Sequence, residues 1–164
     1  MITVTLEPWE YDMARYVAEN RHAINRGRSN ASTYEENIER MQDNLVAETS
    51  GCCAEMAVAK HMNRFWTGGY WDKTDHARYA GMPDIMPDVE VKRIREPHHN
   101  LIVKEKYAAE DLYLVVAYPH VDQPHIVDII GGMRASRAWE IGVPAQWDNT
   151  GTLRIVRQSL LEPV

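Results

Sequence analysis

The segment GMPDIMPDVEVKR, residues 81–93, sets three carboxylates, Asp84, Asp88 and Glu90, just ahead of Lys92. Its apolar residues alternate with them, so it reads as a β-hairpin with Glu90 and Lys92 on one face and Val89 and Val91 on the other. Pairing Ile85 with Val89 leaves Met86, Pro87 and Asp88 as a three-residue loop. The same register brings Asp84 opposite Glu90, apolar on apolar and acid on acid. A two-residue Pro87-Asp88 loop would instead set Asp84 against Val91, and it would ask proline for a positive φ that its ring forbids. Two carboxylates directly opposite each other destabilise a sheet unless a cation offsets their repulsion. One or two carboxylates completed by water and phosphate oxygens describe an Mg²⁺ site rather than a closed zinc cage. Lys92, one step along the same face, would hold or polarise a water and stabilise charge on a phosphate, which is what metal-assisted phosphodiester hydrolysis requires. A solvated, charged hairpin would account for the same residues without any chemistry.

The elements around this hairpin must position it. ITVTL, residues 2–6, is β-branched and is broken by Pro8, so a short strand or extended arm is expected. Apolar spacing through Met13, Tyr16, Val17 and Ile24 predicts a helix over about 9–27, ended by GRSNAS. A second helix is expected from Ser32 or Thr33, with Glu35 and Glu36 in its first turn and Ile38, Met41 and Leu45 turned inward. AETSG is expected to interrupt it before a third helix, GCCAEMAVAKHMN, whose small residues let a neighbour approach closely. Glu55 stands among those small residues and should be partly buried. Residues 64–82 read as an aromatic loop with room for one short strand. Strands follow the hairpin at about 101–105, 112–118 and 125–131, then a short helix RASRAWE, a last strand GTLRIVR and a closing turn QSLLEP. Helices first and strands afterwards imply an α/β or α+β fold, with a mixed central sheet flanked by helices.

The chain has 164 residues, 45% of them hydrophobic, enough for one compact domain over 1–164 with an N-terminal helical part at about 1–48. No long uncharged apolar run occurs, and MITVTLEPWEYD lacks the regions of a secretory signal, so a soluble, cytoplasmic protein without membrane contact is expected. Cys52 and Cys53 are adjacent, which ordinary disulfide geometry disfavours, and they read as small buried side chains. A net charge of −6 excludes nucleic-acid coating by bulk charge, so any phosphate contact must be local. Arg15, Arg21, Arg26 and Arg28 offer one such place, with a solvated helix face as the plain alternative. Lys104 and Lys106 offer another, or else guard a sheet edge. Trp66, Tyr70 and Trp71 would stack on unpaired bases or pack the long loop onto the core. His76, His98, His99, His120 and His125 show no zinc-ligand spacing.

Taken in order, these residues resemble the PD-(D/E)xK nuclease superfamily, in particular its small phage-encoded members. SGCCAEMAVAKHM is similar to that family's Gly-x-x-x-Glu helix through Gly51 and Glu55, MPDI to its aspartate strand through Pro83 and Asp84, and VEVK to its catalytic strand through Glu90 and Lys92. NLIVKEKYAAEDLYLVVAY and IVDIIGGMRASRAWE also look like the phage members, and the likeness spans roughly residues 50–162. Asp88, in the second Pro-Asp pair, would replace Asp84 if the strand began early. The resemblance implies a restriction-endonuclease-like core and a hydrolase of nucleic acid, with DNA the expected partner. It implies Mg²⁺, with Mn²⁺ able to substitute, on Asp84 and Glu90 with help from Glu55, and Lys92 at the hydrolytic water. Arg21, Arg26, Arg28 and Lys104 would touch the nucleic acid, a homo-oligomer is compatible with the family, and a phage-encoded member would work in the host cytoplasm. The rival expectation is a protein that keeps the fold and binds nucleic acid or a protein partner without catalysis.

Overall fold

A computed structural model describes residues 1–25, 34–70, 75 and 81–164. Arg26, Arg28, Ser32, Thr33, Trp71 and His76, and the side chains of Glu35, Glu36, Ile38 and Met41, lie outside the described residues.

The first strand, β1 (Ile2–Thr5), leads into helix α1 (Pro8–Asn25). Proline fits the first turn of a helix because the N–H it lacks would be unpaired there. Glu10 then reaches back, its Oε2 accepting the Glu7 N–H at 2.7 Å, as a glutamate in a capping box does. The buried side of α1 keeps Val17 of the apolar set in the sequence pattern but not its two larger members. Met13 and Tyr16 are exposed, while Glu10, Ala14, Val17, Ala18 and His22 are buried. Alanines at this seam let α1 approach helix α2 (Tyr34–Met62) closely, and the large side chains sit outside the contact.

Helix α2 runs unbroken for 29 residues, so AETSG does not separate two helices as its composition suggests. One glycine costs a helix only about 1 kcal/mol. Residues Cys52 to Ala59 are all buried between α1 and the sheet, and their burial outweighs that local cost. Burial also pushes the Cys53 thiol up to about 12, and Cys52 is raised further, so neither is a reactive thiolate.

Four strands form the central sheet in the order β1, β5 (Ile126–Arg134), β4 (Tyr113–Pro119), β2 (Val89–Arg93). β2 runs parallel to β4 and the other neighbours are antiparallel, so the sheet is mixed. A second, antiparallel sheet has the order β3 (Leu101–Lys104), β7 (Leu153–Val156), β6 (Val143–Pro144). Helices α3 (Glu105–Glu110) and α4 (Ala135–Ile141) pack beside it, and a 3₁₀ turn covers Gln158–Leu160. Leu114 to Ala117 are buried on both faces, which explains the uninterrupted apolar run of β4. Val115 and Ala117 join Val89, Val91 and the α1–α2 side in one core. Leu114 and Val116 join Leu101, Val103, Tyr107 and Val156 in the other. The protein is therefore a mixed α+β structure, a four-stranded sheet between helices on one side and a smaller sheet with short helices on the other.

The strand expected to run to residue 105 stops at Lys104, and Glu105 starts α3, a helix the β-rich reading of this region did not anticipate. On β5, Gly132 marks a tight contact with β4. A Cβ there would lie 2.8 Å from Tyr113 Cε1 and 2.9 Å from the Leu114 carbonyl oxygen. Gly132→Ala should therefore lower stability by about 1–3 kcal/mol, measured by urea unfolding, because the carbonyl belongs to a central strand and has nowhere to move.

Candidate active site

At the start of β2, Ile85 and Val89 form an antiparallel bridge, exchanging hydrogen bonds of 3.0 and 2.9 Å. This is the register read from the sequence, with Met86, Pro87 and Asp88 as the loop. A second bridge joins Ile85 to Trp66, so the chain after α2 lies alongside the Pro-Asp segment. The Thr67 N–H donates to the Asp84 carbonyl at 3.0 Å and the Met86 N–H to the Phe65 carbonyl at 3.2 Å. The ladder on β2 then stops, because the Asp84 Oδ2 takes the place of a backbone acceptor for the Val91 N–H at 2.9 Å.

Asp84 is thus drawn beneath β2, with Glu55 and Glu90 close by. Burial pushes its carboxyl up to about 8, the charges of Glu55 and then Glu90 add to the rise, and the Val91 N–H and Lys92 oppose it. In the metal-free protein, Asp84 keeps a proton between its unfolded value of 3.8 and about 8, where the unfolded chain has lost it. The native state binds more protons in that window, so this group's contribution is fully favourable below it and is lost as pH rises through it. With a chelator present, the urea midpoint should fall between about pH 5 and about pH 8, and Asp84→Asn should remove most of that fall. An equal fall in the variant would refute the assignment.

Glu90 and Lys92 share a face of β2, as the alternation predicts, and Lys92 Nζ donates to Glu90 Oε1 at 2.7 Å. The same ammonium lies 4.0 Å from the centre of the Tyr107 ring on α3. Burial works against its charge, but Glu90 and Tyr107 outweigh burial and its pKa is raised. Lys92 is therefore a held cation rather than a base at neutral pH.

Glu55 is supplied by α2 and is buried among small residues, as expected for a glutamate at that place. It accepts two hydrogen bonds from Arg21, at 2.7 and 2.9 Å, and one from the Trp66 indole at 2.9 Å. Arg21 Nε donates to the Gly69 carbonyl at 2.8 Å. This corrects the expectation that Arg21 belongs to a nucleic-acid surface. Its guanidinium is turned inward as the counter-ion of Glu55, because a buried carboxylate without a cation would cost more than the ordering of one arginine. Trp66 packs on the core and holds Glu55, so it is unlike a free stacking platform. Neither partner of Glu55 could be read from local pattern, since each depends on how α1 and the loop dock on α2.

Asp88 stays in the turn, its carboxylate held by Arg64 at 3.2 Å and Arg134 at 2.6 Å. Lys104 is exposed at the end of β3, paired in the ladder with Leu153. The described histidines do not converge: His98 stacks on His99, His120 meets Asp128 and His125 packs on Tyr11.

Among the described residues, no three His, Cys, Asp or Glu side chains are arranged to hold a metal ion as they stand. Glu90 is turned to Lys92 and Glu55 to Arg21. The donor chemistry nevertheless fits a hard divalent cation. Asp84 lies within electrostatic reach of Glu55 and Glu90, its carboxyl is raised to about 8 by burial and by their charges, and Mg²⁺ takes only one or two carboxylates with water and substrate oxygens for the rest. No described helix is long and apolar enough to cross a membrane. Comparison with known proteins finds no matching family model, no matching curated protein and no matching solved structure.

Proposed function

We propose that the protein is a metal-dependent phosphodiesterase of nucleic acid, with DNA as the first substrate to test, working by PD-(D/E)xK chemistry. The observation that carries this reading is buried Asp84 within electrostatic reach of Glu90 and Glu55, beside the held ammonium of Lys92. Asp84 and Glu90 would hold Mg²⁺ or Mn²⁺, with Glu55 in the surrounding shell. Such an ion, when bound, polarises the phosphoryl oxygens and lowers the pKa of water. The chain's own part is to orient and to stabilise. Lys92, kept charged by Glu90 and Tyr107, donates to the attacking water and to the phosphate oxygen on which negative charge grows. Arg21 and Trp66 fix the Glu55 carboxylate from behind, so the acid cluster keeps its shape without substrate.

Linear, circular and single-stranded DNA incubated with Mg²⁺ or Mn²⁺ should be cleaved, and a chelator should stop cleavage. An intact substrate in every combination would overturn the reading. One observation favours the rival reading of a binding protein without catalysis: both flanking glutamates are already neutralised by basic side chains. Calorimetry with Mn²⁺ separates the two. Binding that disappears in Asp84→Asn and Glu90→Gln supports the enzyme, whereas nucleic-acid or protein-partner binding without metal binding supports the rival.

A further inference from the structure

Beside Lys92 a cavity of about 610 Å³ opens between β2, the segment that follows it and the loop bearing Trp147. Its volume is that of a typical small-ligand pocket. Lys92, Arg93, Arg95, His98 and His99 line it, and no carboxylate does among the described residues. Lys92 is answered by Glu90 from outside the wall, so in a chain of net charge −6 it is Arg93 and Arg95, with two histidines and no acid among the described lining residues, that make a local reversal of sign.

The two arginines are not spent on the fold. Burial lowers the Arg93 pKa, repulsion from Arg95 adds to this, and Glu48 opposes it. Neither guanidinium makes an ion pair within 4 Å among the described residues, in contrast to Arg21, Arg64 and Arg134. Two neighbouring guanidiniums without an ion-pair partner are stabilised by an anion that both can contact, and a phosphodiester chain supplies one at each residue. Trp147, 62% exposed, also lines the cavity, and buried Ile94 and Leu101 give it apolar lining. An exposed indole in the same cavity as unpaired cations and apolar side chains is the combination that binds unpaired nucleotides, phosphate on the basic groups and base on the ring. A duplex keeps its bases stacked inside, and its grooves are read by a protruding element rather than by a concavity.

We infer that this cavity receives a single-stranded nucleic-acid segment next to the phosphate held at Lys92, with Arg93 and Arg95 on the backbone and Trp147 stacked on a base. The proposal rests on the same reading of the Lys92 site as one that meets nucleic acid, and it adds that the substrate enters unpaired.

The test is fluorescence anisotropy with labelled oligothymidylate and a blunt duplex of equal length, in EDTA so that no turnover occurs. The single strand should bind at least ~10-fold tighter than the duplex, and Arg95→Ala and Trp147→Ala should each weaken it by ~5-fold or more while moving the duplex by less than ~2-fold. Arg95→Ala should also make the salt dependence of single-strand binding shallower by about 0.7 for each phosphate the side chain neutralises, which a merely structural role would not do. Both side chains are exposed, so the variants should fold. Equal affinity for the two ligands, or single-strand binding that both variants leave unchanged, overturns the proposal. Cleavage in Mg²⁺ by a protein that shows no such preference overturns it while the nuclease reading stands. A preference that both variants abolish, in a protein that cleaves nothing, supports the cavity and overturns the nuclease reading instead.

Discussion

Lys92→Ala is expected to lower phosphodiester cleavage by about 10²–10⁴-fold, with a smaller effect on nucleic-acid affinity. The size of the effect follows from what holds the side chain. Glu90 and the Tyr107 ring keep the ammonium charged and oriented before substrate arrives, so its attraction to a developing phosphate charge needs no reorganisation. Glu90→Gln should cause a comparable loss by a different route, removing both a carboxylate for the cation and the partner that aims Lys92. Mn²⁺ calorimetry distinguishes them, because Lys92→Ala should retain metal binding and Glu90→Gln should weaken it. Circular dichroism and urea unfolding of both variants control for folding. Lys92→Ala with undiminished cleavage would end the catalytic assignment.

Arg21→Ala is expected to destabilise the protein by about 3 kcal/mol in urea unfolding. The Glu55 side chain is only 10% exposed, and without Arg21 it would keep, among the described residues, a single hydrogen-bond donor, the Trp66 indole. A buried carboxylate left without its cation is costly because desolvation remains while the attraction is gone. Pairing Arg21→Met with Glu55→Leu should recover most of the loss, since an apolar pair has no charge to solvate. Added Mn²⁺ should raise the midpoint of Arg21→Ala more than that of the wild type, because the freed carboxylate gains a cation. If Arg21→Ala changes stability by less than about 0.5 kcal/mol, the ion pair is a surface contact and the cluster lacks its rigid back wall.

The hairpin was legible because strand alternation, the limits on proline and apolar matching all select one register, and each acts within a few residues. Glu55 was legible as a partly buried acid because small apolar side chains surround it on its own helix. Arg21 was not, since an arginine among polar neighbours on an amphipathic helix has the same local pattern whether it faces water or a buried carboxylate 34 positions away. The continuity of α2 was hidden for a related reason: AETSG disfavours a helix locally, and only the burial of residues 52–59 against two neighbours reverses that balance.

The sequence by itself determined an α/β or α+β class with a mixed sheet and the Ile85–Val89 register of the hairpin, and it favoured Asp84 beside Glu90 while leaving Asp88 as the alternative that the structure places in the turn. Those follow from periodicity and backbone stereochemistry, which are local. Tertiary structure alone decided which cation answers which acid: Arg21 for Glu55, Lys92 with Tyr107 for Glu90, Arg64 and Arg134 for Asp88. Among the described residues it also set Arg93 and Arg95 in a cavity wall that holds no acid. Coulomb energy depends on distance and burial, and both are set only when the helices and the two sheets have closed around the hairpin.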